Sequence, residues 1–153
     1  MKTIPVFPSA RPLEFKDKPL LDRLFKSYPP VISEFTFTNL FAWRRAYDFY
    51  LASLDDVVLV ISEKEGGVCT PRSINPSLQS ADKGWPLGHS ARICSGGLHV
   101  FDPLAKPGEK ARIIEQCFQK AGPAAKLTFR RLPETTIALV KGMGFRIEED
   151  RDN

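Results

Sequence analysis

Thirteen prolines and ten glycines divide this chain of 153 residues into short pieces, and that punctuation constrains the fold more than any other feature. Proline fixes its own φ, lacks a backbone donor and disfavours helix in the residue before it. Coiled coils and long unbroken helices are therefore excluded, and short elements joined by turns are expected. Hydrophobic residues at 42% and charged residues at 26% are an ordinary globular balance, which also excludes disordered and collagen-like classes. A chain of this size buries roughly 70% of its unfolded surface, so residues 1–153 are expected to form a single domain. No apolar run approaches the roughly 20 residues of a spanning helix. The opening MKTIPVFPSARPLEF lacks a signal-peptide core, and three cysteines do not make a disulfide framework. A cytoplasmic protein with no transmembrane segment is the expectation.

The periodicity between the breaks assigns the elements. After an extended lead-in with a short strand at 12–15, Asp17 reads as an N-cap with Pro19 in the first turn. Leu20, Leu21, Leu24, Phe25 and Tyr28 then share one helical face up to Pro29-Pro30. Thr36 or Thr38 caps a second helix, with Leu40, Trp43 and Tyr47 on one face and Phe35 and Phe37 wedged into the core. Residues 48–53 and 57–62 flank Asp55-Asp56 as a β-hairpin, closed off at Gly66-Gly67. The unbroken apolar run 57–61 predicts a strand buried on both faces. Residues 69–97 have no period and read as an irregular inserted loop, with one short strand at 91–94. The remainder reads as a strand at 98–101, a turn at 102–104 and a helix over 107–121. That helix carries Ala111, Ile114, Cys117, Phe118 and Ala121 on one side and stops at Gly122-Pro123. A strand at 126–131, a helix over 133–141 and a final strand at 145–149 complete the chain. Helices separate the later strands, so the fold class is α/β (α+β): a mixed sheet flanked by helices.

Few residue patterns carry chemistry. Twenty-two Lys and Arg against eighteen Asp and Glu give a net charge of +4, too diffuse to demand a polyanion. Cys69, His89, Cys94 and His99 lack the paired spacing of a zinc site, and no metal is expected. A Cys-His nucleophile lacks a third orienting group, and Ser95-Gly96-Gly97 precedes a strand rather than the helix a phosphate loop needs. The stretch DPLAKPGEKA invites comparison with the glycine-rich helix start that holds a pyrophosphate. Lys106, Gly108 and Lys110 are its candidate cofactor-binding residues, but one glycine and the acidic Glu109 make a degenerate version, and no cofactor is required. Glu34, Asn39, Arg44 and Arg45 are polar residues among aromatics. In one reading Glu34, Asn39 and Arg44 bind substrate, the arginines contacting an anion. In the plainer one Glu34 and Asn39 satisfy backbone groups near the helix start and the arginines face solvent. The aromatic residues are more simply core than a stacking platform, and Lys126, Arg130 and Arg131 make an exposed basic face.

EFKDKPLLDRLFKSYPP followed by SEFTFTNLFAWRRAY resembles the N-terminal half of a bacterial family of uncharacterised proteins grouped with the cytosolic C-terminal domain of phosphatidylglycerol lysyltransferases. FDPLAKPGEKARIIEQCFQKAG resembles that family's strand-turn-helix, RIEEDRDN its mid-chain acidic motif, and Lys141-Gly142-Met143-Gly144-Phe145 the helix-to-strand junction of acyl-CoA N-acyltransferase-like (GNAT-like) domains. The match covers most of the chain outside 69–97, which is longer than the corresponding family loop. The resemblance implies a single GNAT-like domain, the first of two in the family chain, from an aminoacyl- or acyltransferase-like protein that is inactive alone. Aminoacyl-tRNA and a lipid headgroup are the partners implied by the lysyltransferases, together with a second GNAT-like half or a homodimer in its place. No catalytic residue transfers position by position. Two alternatives stay open: a non-enzymatic interaction or self-association domain, and an acyl-CoA-dependent N-acetyltransferase. The latter predicts splayed parallel strands at 98–101 and 126–131 with an open slot between them.

Overall fold

The computed structural model describes residues 4–33, 35–62, 97–122 and 126–148. The 63–96 stretch, with the expected Gly66-Gly67 closure, most of the 69–97 loop and the strand at 91–94, lies outside the described residues, as do Glu34, Pro123 and Glu149. The elements run β1 (Arg11–Pro12), α1 (Lys18–Ser27), α2 (Phe37–Tyr47), β2 (Phe49–Leu54), β3 (Val57–Ser62), β4 (Leu98–Phe101), α3 (Pro107–Ala121), β5 (Leu127–Arg130) and α4 (Glu134–Val140). They form one five-stranded mixed sheet in the order β1-β2-β3-β4-β5. Neighbours are antiparallel except β4 and β5, which are parallel and joined through α3.

The hairpin at the centre follows from its residues. Six pairs from Phe49↔Ser62 to Leu54↔Val57 hold β2 against β3. Asp55 and Asp56 both take positive φ, 46° and 65°, the left-handed pair that a two-residue type I′ turn requires. Every residue of β3 is buried, as the unbroken apolar run predicts. Val57, Leu59 and Ile61 pack into an aliphatic core with Ile113 and Cys117 of α3. Val58 and Val60 face the other way, with Leu21 of α1, Leu40 of α2 and Phe35, Phe37 and Phe49. Because successive strand residues point to opposite faces, one strand thus anchors two cores. Burial pushes the Cys117 thiol up to about 12, since a thiolate has no solvation there.

Several expectations shift. The first strand is Arg11–Pro12, not 12–15, because Phe15–Asp17 closes into a 3₁₀ turn. Asp17 occupies the N-cap position of α1 but makes no capping bond. Its carboxylate accepts from the two terminal guanidinium nitrogens of Arg11, at 2.8 and 2.6 Å, and from the Glu14 amide at 2.8 Å. Trp43 does not share the buried face of α2 with Leu40: it is 58% exposed. The helix instead turns Phe37, Leu40 and Phe41 inward, with Phe37 and Phe41 stacked at 5.4 Å. On α3 the most buried positions are Ile113, Ile114 and Cys117, so the stripe includes Ile113 and is displaced from Ala111. Residues 145–148 form no strand. Gly142 and Gly144, at φ 94° and 82°, turn the chain so that Phe145 stacks on Phe118 of α3 at 4.7 Å. Ile147, 46% exposed, finds no second apolar surface among the described residues that would hold this segment against β5.

Candidate functional site

Two parallel strands deliver their carboxyl ends to the same side of a sheet, and the connections leaving them open a crevice there. β4 ends at Phe101 and continues as Asp102-Pro103 toward α3, while β5 ends at Arg130 and continues through Arg131 toward α4. The two are paired along their whole length, from Leu98↔Leu127 to Phe101↔Arg130. The expected open slot between splayed strands is therefore not formed, because a four-residue parallel ladder closes it. The opening lies just beyond. Arg131 turns at φ 54°, a left-handed conformation that costs a non-glycine residue energy and is concentrated at functional sites.

A cavity of about 210 Å³ occupies this end of the sheet. Its walls come from three places: the α1–α2 connection, the run from Phe101 to Lys110, and Arg131 with Pro133. Tyr28, Pro29, Pro30, Phe35, Phe101 and Leu104 give it an apolar lining, and ring contacts fix that wall. Phe35 lies 5.1 Å from Phe101 and 5.6 Å from Phe25, and Phe101 lies 5.8 Å from Phe49. The polar groups converge on Asp102. One carboxylate oxygen accepts from Lys110 Nζ of α3, and the other accepts from Thr136 Oγ1 of α4 at 3.0 Å. Lys110 and Asp102 side chains are only 15% and 21% exposed, and Thr136 is buried. This triad ties α3, the end of β4 and α4 together beside the cavity.

The candidates read from the sequence fall in three places. Lys110 lines the cavity, whereas Lys106 and Gly108 are exposed at the start of α3, where a Cβ on Gly108 would meet only open space. Asn39 is exposed on α2, its backbone amide donating to Thr36 Oγ1 at 3.3 Å. Arg44 sits 3.7 Å over the Phe41 ring and donates to the Phe41 carbonyl, a cation–π arrangement that packs the helix surface. Neither lines the cavity, and Glu34 lies outside the described residues. His99 is buried on β4, and Cys69, His89 and Cys94 lie outside the described residues. Asp102, Thr136, Tyr28 and Arg131 are the site residues that sequence reasoning missed. The one available signal was an Asp-Pro pair at the carboxyl end of a strand. Among the described residues no helix is long and apolar enough to cross a membrane. No protein-family model, curated protein or solved structure matches the chain.

Proposed function

We propose that this chain is a GNAT-like domain of the aminoacyl- or acyltransferase class, akin to the C-terminal domain of phosphatidylglycerol lysyltransferases, and that it handles the transferred group in the cavity at the β4–β5 ends. The observation that carries the reading is the parallel pair β4–β5, which among the described strands follows three antiparallel pairings and opens into a cavity between the α1–α2 connection and α3. The order of elements, with two helices between the first two strands and one helix joining the parallel pair, supports it.

The start of α3 favours an aminoacyl donor over coenzyme A. A pyrophosphate is held by unpaired amides at a helix N-terminus. Here Pro107 has no N–H, the Glu109 amide already bonds the Lys106 carbonyl at 2.9 Å, and Glu109 adds negative charge to the first turn. The cavity is also smaller than the roughly 300–1,000 Å³ of sites that engulf a drug-sized molecule. Only the reactive end of a larger donor or acceptor would enter.

Thermal-shift titration with charged tRNA, uncharged tRNA and acyl-CoAs tests the proposal. Stabilisation by charged tRNA above that by uncharged tRNA is the expected result, with binding but no turnover by this domain alone. A saturable acyl-CoA complex that turns over would replace it with the acetyltransferase reading. Equal shifts from charged and uncharged tRNA, or none, would remove it.

A further inference from the structure

We infer that the cavity at the β4–β5 ends binds an uncharged hydrocarbon group about one ring in size. The inference goes beyond the transferase reading: it names what the cavity admits whatever reaction follows, and its test uses neither tRNA nor coenzyme. Three features carry it.

The first is that the charged groups described in the wall already serve one another. Asp102 accepts from Lys110 on one oxygen and from Thr136 on the other, and the ion pair is largely shielded from water. Arg131 is likewise engaged within the protein. A charged ligand would therefore give up its water for groups that hold partners of their own, and burying a charge on those terms is costly. The second is the remainder of the wall. Five of the lining residues are prolines, which carry no N–H, so these positions withhold the backbone donors that a polar ligand would use. Phe35 and Phe101, with ring centroids 5.1 Å apart, and Leu104 continue the hydrocarbon surface. Such a wall gains when a ligand removes its apolar area from water. The third is size. The volume of about 210 Å³ exceeds the roughly 150 Å³ that suffices for an apolar protein cavity to take up benzene. An uncharged ring matches all three features. A phosphate or a polyol matches at most the third.

Toluene, benzoate and benzylamine share one ring and differ in the charge of its substituent, so they serve as probes. Binding is followed on the full chain by calorimetry and by two-dimensional NMR of backbone amides. Toluene should bind tightest, by about tenfold or more over either charged probe, as the burial of a charge without a dedicated partner implies. Shifts should concentrate at residues 28–32, 101–105 and 131–133. Ala105→Leu adds bulk to the buried wall and should abolish toluene binding. Where that variant fails to fold, Ile32→Phe adds bulk at a half-buried lining position and should do the same. Toluene that binds no more tightly than benzoate or benzylamine, no binding of toluene, or shifts centred elsewhere would each overturn the inference. So would toluene binding that survives undiminished in the filled variant.

Discussion

The β2–β3 hairpin and the β4–β5 pair belong to one sheet but are built on opposite terms. The hairpin has six residue pairs, a two-residue turn and a β3 in which every residue is buried. The parallel pair has four residue pairs, and every residue of β5 is only half-buried. Its connection needs the fifteen residues of α3. A turn closes an antiparallel pair locally, whereas parallel strands need a crossover and leave both carboxyl ends facing the same way. The hairpin therefore supplies stability without a cavity. The parallel pair supplies a cavity and depends on side chains from other elements, Lys110 and Thr136, to hold its exit in place.

The largest expected effect tests that division directly. Leu59→Ala in β3 removes a fully buried side chain and should cost about 2–5 kcal/mol. Leu127→Ala at a half-buried position of β5 should cost less than half as much. Both are read from denaturant midpoints with unchanged slope. Equal costs would mean that the parallel pair carries as much of the core as the hairpin.

The antiparallel half also contains a buried charge pair, and acid should reveal it. Burial opposes the Asp17 charge, but the Arg11 hydrogen bonds, the Glu14 amide and nearby positive charge outweigh it, so the carboxyl titrates below its usual range. A lowered folded pKa stabilises the fold at pH values above the unfolded value of about 3.9, and that contribution fades as pH falls through the folded pKa. Asp17→Asn should cost roughly 3 kcal/mol at neutral pH, because it leaves the Arg11 charge buried without its partner. It should also flatten the loss of stability on acidification. Urea melts from pH 7 to pH 2 measure both, and an unchanged acid profile would show that this pair is energetically silent.

Thr136→Val probes the parallel half at a smaller scale. It keeps the side-chain shape but removes one donor to Asp102, an expected cost of about 1 kcal/mol. Its sharper consequence should be a weaker tie between α4 and the cavity, read as faster amide exchange at residues 131–137. A variant with wild-type exchange there would show that Lys110 alone positions Asp102.

The same contrast explains what the sequence could reveal. The hairpin was legible because its information is local: an unbroken apolar run next to a pair of turn residues. The helix over 107–121 was legible from a proline at its start and a glycine at its end, and its observed span matches. The cavity was not, since its walls come from segments that each carry only a local message. Pro29-Pro30 announces a helix stop and Asp102-Pro103 a turn, and nothing in either foretells that they face one another. Lys110 was singled out for the start of α3, but its partner arrives from the end of a strand eight residues earlier. The strand expected at 145–149 failed for a related reason. Alternation of Phe145 and Ile147 is a strand signal only if an apolar surface receives both, and α3 receives Phe145 alone.

The smallest effects come from backbone conformation, where the two regions share a feature with different meanings. Asp56 in the hairpin turn and Arg131 at the end of β5 both hold left-handed φ, 65° and 54°. Glycine relieves that strain but raises the entropy of the unfolded chain, so each replacement should stabilise by only about 0.5 kcal/mol. Asp56 lines no part of the cavity, so Asp56→Gly should do nothing else. Arg131→Gly also removes a side chain that lines the cavity, so the interactions of that side chain are subtracted from the gain. Arg131→Gln separates the two causes: it keeps the strain and loses the charge, so it should bring no gain in melting temperature. If Arg131→Gly stabilises the protein as fully as Asp56→Gly does, the strained exit of β5 is a feature of the turn alone.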